Sequence, residues 1–197
     1  MKRDDATRAS TSEPGPEPGV VWWITGLAGA GKTTIGALLA RRLGDLGRRV
    51  VFLDGDVLRA TVFPEAGYSP AERLELARRY SRLCGLLAEQ GHDVVCATIS
   101  LFPEIWERNR SRFAAYREVL LRAPAQVLAD RKAALYGGGG HGRGATEHVV
   151  GRDEPAAEPP APDLVLDNDG GRSPEQLVDE LLARLLAGAA GAGVPRR

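Results

Sequence analysis

The sequence predicts a three-layer α/β/α fold: a five-stranded parallel sheet covered by helices on both faces, with a mobile lid. Three observations point there. The apolar run VVWWIT passes directly into the glycine-rich segment GLAGAGKTT. Further apolar runs of strand length then alternate with amphipathic stretches of helical period, the pattern of a parallel sheet. Finally, 197 residues with 43% hydrophobic and 26% charged side chains suit one globular domain.

Taken in order, residues 20–25 are nearly all apolar, as a strand buried on both faces would be. A helix starts at Lys32, with Ile35, Leu38, Leu39 and Leu43 on one face, and Gly44 and Gly47 close it. Residues 49–53 form a second strand that ends in Asp54-Gly55-Asp56. Residues 70–89 form a long helix with Leu74, Ala77, Leu83 and Leu87 on one side, stopped at Gly91. Residues 93–99 are a third strand, and residues 103–116 a helix that opens on a proline suited to a first turn. Residues 118–121 supply the fourth strand, followed by a short helix from Pro124. The lid, about residues 131–152, holds six glycines between Gly137 and Gly144, around His141 and Arg143. A proline-rich connector over 153–163 leads to a fifth strand at 164–166, and Ser173 caps a last helix to about Leu186. The expected organisation is a tail over 1–19, one domain over 20–188 and a flexible end over 189–197.

Composition excludes several classes. Lys plus Arg and Asp plus Glu both number 26, so no global basic field exists to hold a nucleic-acid polymer. A polyanion would have to be bound locally. Cys84 and Cys96 both lie in apolar stretches, which suits buried thiols in a reducing cytoplasm. The charged, Pro/Gly-rich N-terminus is no secretory signal, and no stretch has the roughly 20 apolar residues of a membrane span. His92, His141 and His148 lack ligand spacing, so no structural zinc is expected.

Gly26 to Thr34 fit G-x-x-x-x-G-K-[ST], with a strand before and a helix after. In such a loop, consecutive backbone N–H groups over Gly29, Ala30, Gly31, Lys32, Thr33 and Thr34 turn toward phosphate, the lysine reaches the β- and γ-phosphates of ATP, and Thr33 ligates Mg²⁺. Lysine occurs only at positions 2, 32 and 132 in this arginine-rich chain, which sharpens the match. A dinucleotide fingerprint is disfavoured, because Thr34 occupies its third glycine position. At the end of the second strand, Asp54 or Asp56 can order Mg²⁺ or accept a proton from an attacking hydroxyl, and Arg59 can offset phosphate charge. The same residues also suit an Asp-Gly turn with a helix N-cap. Arg73, Arg78 and Arg79 suit a solvated helix face as well as a ligand, and Ser100 a helix cap as well as a site at the sheet edge.

GLAGAGKTT, LDGDVLR, GYSPAERLELARR and ATISLF stand in the order and spacing of adenylylsulfate (APS) kinases, and the chain resembles that family from about Trp22 to Asn168. The resemblance implies an adenylate-kinase-like fold, transfer of the ATP γ-phosphoryl group to a ribose 3′-hydroxyl with Mg²⁺, and a homodimer. It also implies acceptor contacts from Asp56, Arg59, Arg73, Ile99 and Ser100, with Tyr68 stacked on the acceptor base. Lys32, Asp54, Asp56 and Ser100 are the candidate catalytic residues.

Departures from the family concentrate on the acceptor side. Glu75-Leu76-Ala77-Arg78-Arg79 lacks the family's asparagine at Leu76, and Ala133 replaces a lysine unless Arg131 or Lys132 substitutes. Val149 to Ala157 lacks the second aromatic of the base sandwich. These features resemble a divergent branch that includes cytidine diphosphoramidate kinases, and imply a small nucleotide-linked acceptor. The alternatives are a true adenylylsulfate kinase and a nucleotide-binding regulatory protein that has lost transfer.

Overall fold

The computed structural model describes residues 16–136 and 156–187. Five parallel strands, β1 (Val21–Thr25), β2 (Val50–Asp54), β3 (Asp93–Ala97), β4 (Tyr116–Arg122) and β5 (Leu164–Asp167), lie in the order β2-β3-β1-β4-β5. The first strand in sequence is therefore the central one, hydrogen-bonded on both edges.

Side chains alternate between the two faces of each strand, and two cores result. Trp22 and Ile24 face α1 (Lys32–Asp45), α5 (Ala125–Tyr136) and α6 (Pro174–Ala187), among Leu39, Leu43, Leu128, Leu177 and Leu181. Val21 and Trp23 face the opposite side, where α2 (Gly55–Thr61), α3 (Pro70–Glu89) and α4 (Pro103–Arg112) contribute Leu58, Tyr80 and Ile105. Because both faces of β1 are covered, all five of its residues are buried. The three-layer α/β/α prediction is met, with the predicted number of strands.

Local signals fix the ends of α3 well. Ser69 Oγ accepts from Glu72 N, the Glu72 carboxylate accepts from Ser69 N, and Pro70 begins the first turn. The predicted boundaries of this helix are those observed, although its buried stripe runs through Leu76, Ala77, Tyr80, Cys84 and Ala88, with Leu74, Leu83 and Leu87 only partly buried. Both cysteines are buried and unpaired by a disulfide.

Other boundaries moved. The helix expected to reach Tyr116 stops at Arg112, because Tyr116 pairs with Val21 and begins β4, its ring 5.8 Å from that of Phe113. The third strand stops at Ala97 rather than 99, where the backbone turns toward Ser100. Helix α2 was expected only as a capped turn and runs for seven residues. Arg131 to Tyr136 continue α5, and the remainder of the expected lid, with His141, Arg143 and His148, lies outside the described residues. Gly19 N donates to Ala88 O at 2.9 Å. Among the described residues, no helix is long and apolar enough to cross a membrane.

Candidate active site

The carboxyl ends of β1, β2 and β3 and the segment after β5 open on a cavity of about 960 Å³, the edge at which open parallel sheets bind ligands. Lys32, Arg59, Arg73, Arg131 and Arg172 line it against Asp54 and Asp56. A chain of zero net charge thus concentrates positive charge locally, in a cleft suited to a polyphosphate.

One wall is main chain. Gly29 (φ 86°) and Gly31 (φ 97°) adopt left-handed backbone, and Gly31 stands at the N-cap of α1 with no side-chain cap. The first amides of α1 therefore face the cavity in the manner of an anion site. A Cβ at 31 would lie 2.5 Å from Asn168 Nδ2, so a side chain there would displace the Asn168 amide from the loop. Asn168, just past β5, donates from that nitrogen to Ala30 O at 2.9 Å. Arg131 of α5 donates to Gly29 O at 3.3 Å and to Asn168 Oδ1 at 3.2 Å. Lys32 Nζ donates to Leu27 O at 2.9 Å.

Thr33 Oγ1 donates to Asp54 Oδ2 at 2.6 Å, while Asp54 Oδ1 accepts from Asp56 N and Val57 N at 2.9 and 3.2 Å. Asp54 thus caps α2 and also accepts from the Thr33 hydroxyl. Asp56, in the first turn of α2, is exposed to the cavity. Tyr80 Oη donates to Gly55 O at 2.7 Å and steadies this turn from α3; burial holds that phenol well above its ordinary pKa, in its donor form.

The other wall is built from side chains. Arg59 donates to Ala66 O at 2.8 Å and Gly67 O at 2.6 Å, and its guanidinium lies 4.4 Å from the centre of the Tyr68 ring. Arg73 Nε donates to Tyr68 O at 2.7 Å, its guanidinium 5.8 Å from the same ring. Tyr68 is 41% exposed beside these cations. Ile99 and Ser100 close the cavity at the end of β3, with Ser100 at φ 22°.

Every residue given a catalytic, phosphate-loop or acceptor role from the sequence lines this cavity except Ala30, which is buried in the core while its carbonyl binds Asn168. Arg78 and Arg79 serve the surface, through Glu104 and Glu75. The sequence reading passed over Asn168, Tyr80, Thr98 and Arg172; the signal for Asn168 and Thr98 was their place just beyond a strand's carboxyl end.

A family model described as adenylylsulphate kinase matches residues 18–167. An adenylyl-sulfate kinase of Paraburkholderia xenovorans is 39% identical over 173 residues, covering 85% of this chain and 93% of the relative. A cytidine diphosphoramidate kinase of Campylobacter jejuni is 33% identical over 164 residues, covering 83% and 94%. The Mycobacterium tuberculosis APS kinase, solved with AMPPNP and APS, superposes with a TM-score of 0.76 at 34% identity, covering 87% of this chain and 99% of that one. This chain belongs to the adenylylsulphate kinase family, whose members use ATP, and is a phosphotransferase.

Proposed function

We propose that this enzyme transfers the γ-phosphoryl group of ATP to the ribose 3′-hydroxyl of a nucleotide conjugate, at an acceptor site rebuilt relative to that of adenylylsulfate kinases. The observation that carries the reading is one cavity with a phosphate-binding helix terminus on one wall and Asp56, Arg59 and Tyr68 on the other. The α1 amides and Lys32 bind the donor phosphates, and Lys32 offsets charge on the transferring group. Asp56 orients the acceptor hydroxyl and takes its proton. Arg59 and Arg73 hold acceptor phosphate, and Tyr68 stacks on the base. Ser100 contacts the acceptor; no phosphoserine is needed, because in-line transfer rests on positioning and charge.

The adjoining oxygens of Thr33 and Asp54 are hard donors of the kind Mg²⁺ takes, and would hold that ion to neutralise phosphate charge. The protein works in the cytoplasm as a homodimer, an assembly that light scattering checks.

Two observations support a rebuilt acceptor side. Leu76, 4% exposed, presents an alkyl group along the cavity wall where the resemblance expects an amide. Ala156 packs against Leu101, Trp106 and Leu120 instead of offering a second ring to the base. Losing that stacking removes about 1–3 kcal/mol from binding of an adenine acceptor. Adenylyl sulfate itself is the second reading, favoured by the 39% identical relative of that name.

A coupled ADP-release assay with Mg·ATP tests both, using adenylyl sulfate, CDP-linked conjugates and simple nucleosides, with products located by mass and phosphorus NMR. Turnover confined to a conjugate other than adenylyl sulfate is expected. Efficient turnover of adenylyl sulfate would establish the second reading, and no turnover on the panel would overturn both.

A further inference from the structure

We propose that Thr98, the residue after β3, is a positioning residue that locks the Ser100 turn against the Asp56 turn and so sets the spacing of the acceptor side. The inference rests on the acceptor reading above and extends it to a buried residue with no expected ligand contact.

Ser100 has the only positive φ among the described non-glycine residues, 22°. A side-chain-bearing residue keeps such backbone only when its surroundings over-determine it. Those surroundings are hydroxyls. Thr98 Oγ1 and Ser100 Oγ lie 2.8 Å apart, both residues buried at 6% and 7% exposure. Between them, the Ile99 carbonyl accepts from the hydroxyl of Thr25, which is fully buried on central strand β1. Thr98 N donates to Ile24 O at 3.0 Å, so Thr98 is itself fixed to β1.

The same Thr98 side chain supports the neighbouring turn. A Cβ on Gly55 would stand 3.2 Å from Thr98 Oγ1 and 3.3 Å from Thr98 Cβ, so the Gly55 backbone faces Thr98 with no room for a side chain between them. From the other side, Tyr80 holds the Gly55 carbonyl. The Asp54-Gly55-Asp56 turn is thereby wedged between Tyr80 and Thr98. One threonine touches the backbone beside Asp56 and the hydroxyl of Ser100, the two groups assigned to the acceptor. Without its hydroxyl, Ser100 Oγ keeps no partner in a buried site and the turn loses the bond that holds its rotamer.

The near-isosteric Thr98→Val tests this, with the panel acceptor that wild type turns over as probe. Acceptor kcat/KM is expected to fall about tenfold, while KM for ATP stays within about twofold. Thr98→Ser, which keeps the hydroxyl, is expected to recover most of the loss. Because Thr98 acts through Ser100, adding Thr98→Val to Ser100→Ala is expected to cost nothing beyond Ser100→Ala alone. A folded Thr98→Val with unchanged acceptor kcat/KM, an equal rise in KM for ATP, or full additivity with Ser100→Ala would each overturn the proposal. If Thr98→Val does not fold, failure of Thr98→Ser to retain acceptor kcat/KM overturns it equally, and retention supports it. Asp56→Asn separates the two levels: if it keeps turnover, the acceptor reading itself fails, whereas its loss beside a silent Thr98→Val removes only the role given to Thr98.

Discussion

The two walls of the cavity are made of different material. The wall at the phosphate loop is main chain, shaped by glycines at positive φ and by the first turn of α1. The opposite wall is side chain, drawn from α2, the segment before α3, α3 itself and the end of β3. A main-chain wall is specified by a few contiguous residues and accepts phosphate whatever its bearer. A side-chain wall can be rebuilt one substitution at a time, so acceptor choice can change while the donor stays the same.

The sharpest way to break this contrast is Lys32→Ala, which removes the phosphate loop's own cation. Its kcat is expected to fall by about a thousandfold with the fold intact by circular dichroism; near-normal turnover would end the assignment. Gly31→Ala comes next. It forces a left-handed alanine, at about 1–2 kcal/mol, and drives a methyl group against Asn168, so calorimetry should show ATP binding weakened roughly ten- to thirtyfold. On the other wall, Tyr68→Ala should raise the acceptor KM about tenfold through lost stacking and leave the KM for ATP unchanged. An equal change in both would mean that the walls are not separable. The smallest effect belongs to Arg78→Ala, whose bond to Glu104 is solvent-exposed: neither turnover nor melting temperature should move measurably.

The same contrast explains which parts could be read from the sequence. The nine residues Gly26 to Thr34 announce a phosphate loop because their chemistry is local, and an apolar helical period stopped at Gly91 places α3 for the same reason. Asp54 looked like either a cap or a site residue; it caps α2 and also meets the Thr33 hydroxyl, which no spacing argument reveals, because Thr33 reaches it from 21 positions away. Tyr116 completes a helical pattern locally, yet its partner across the sheet, Val21, makes it a strand. Tyr80 carries no local mark at all, since its partner lies 25 positions distant, and the place of Asn168 beyond a strand does not name its partner 138 positions away. The positive cavity was likewise hidden by a net charge of zero: sign balance along a chain says nothing about its arrangement in space.

The central place of β1 has a consequence for biosynthesis. Its neighbours β3 and β4 begin at residues 93 and 116, and the loop that follows it is completed by Asn168. The phosphate loop is thus translated well before the residues that complete its native contacts. At about 5–20 residues per second, the ribosome leaves it waiting on the order of ten seconds. Until β3 and β4 are made, VVWWIT is an apolar segment whose two strand partners are missing. The loop that is to bind phosphate is held in full only once Asn168, 138 positions after Ala30, has been made.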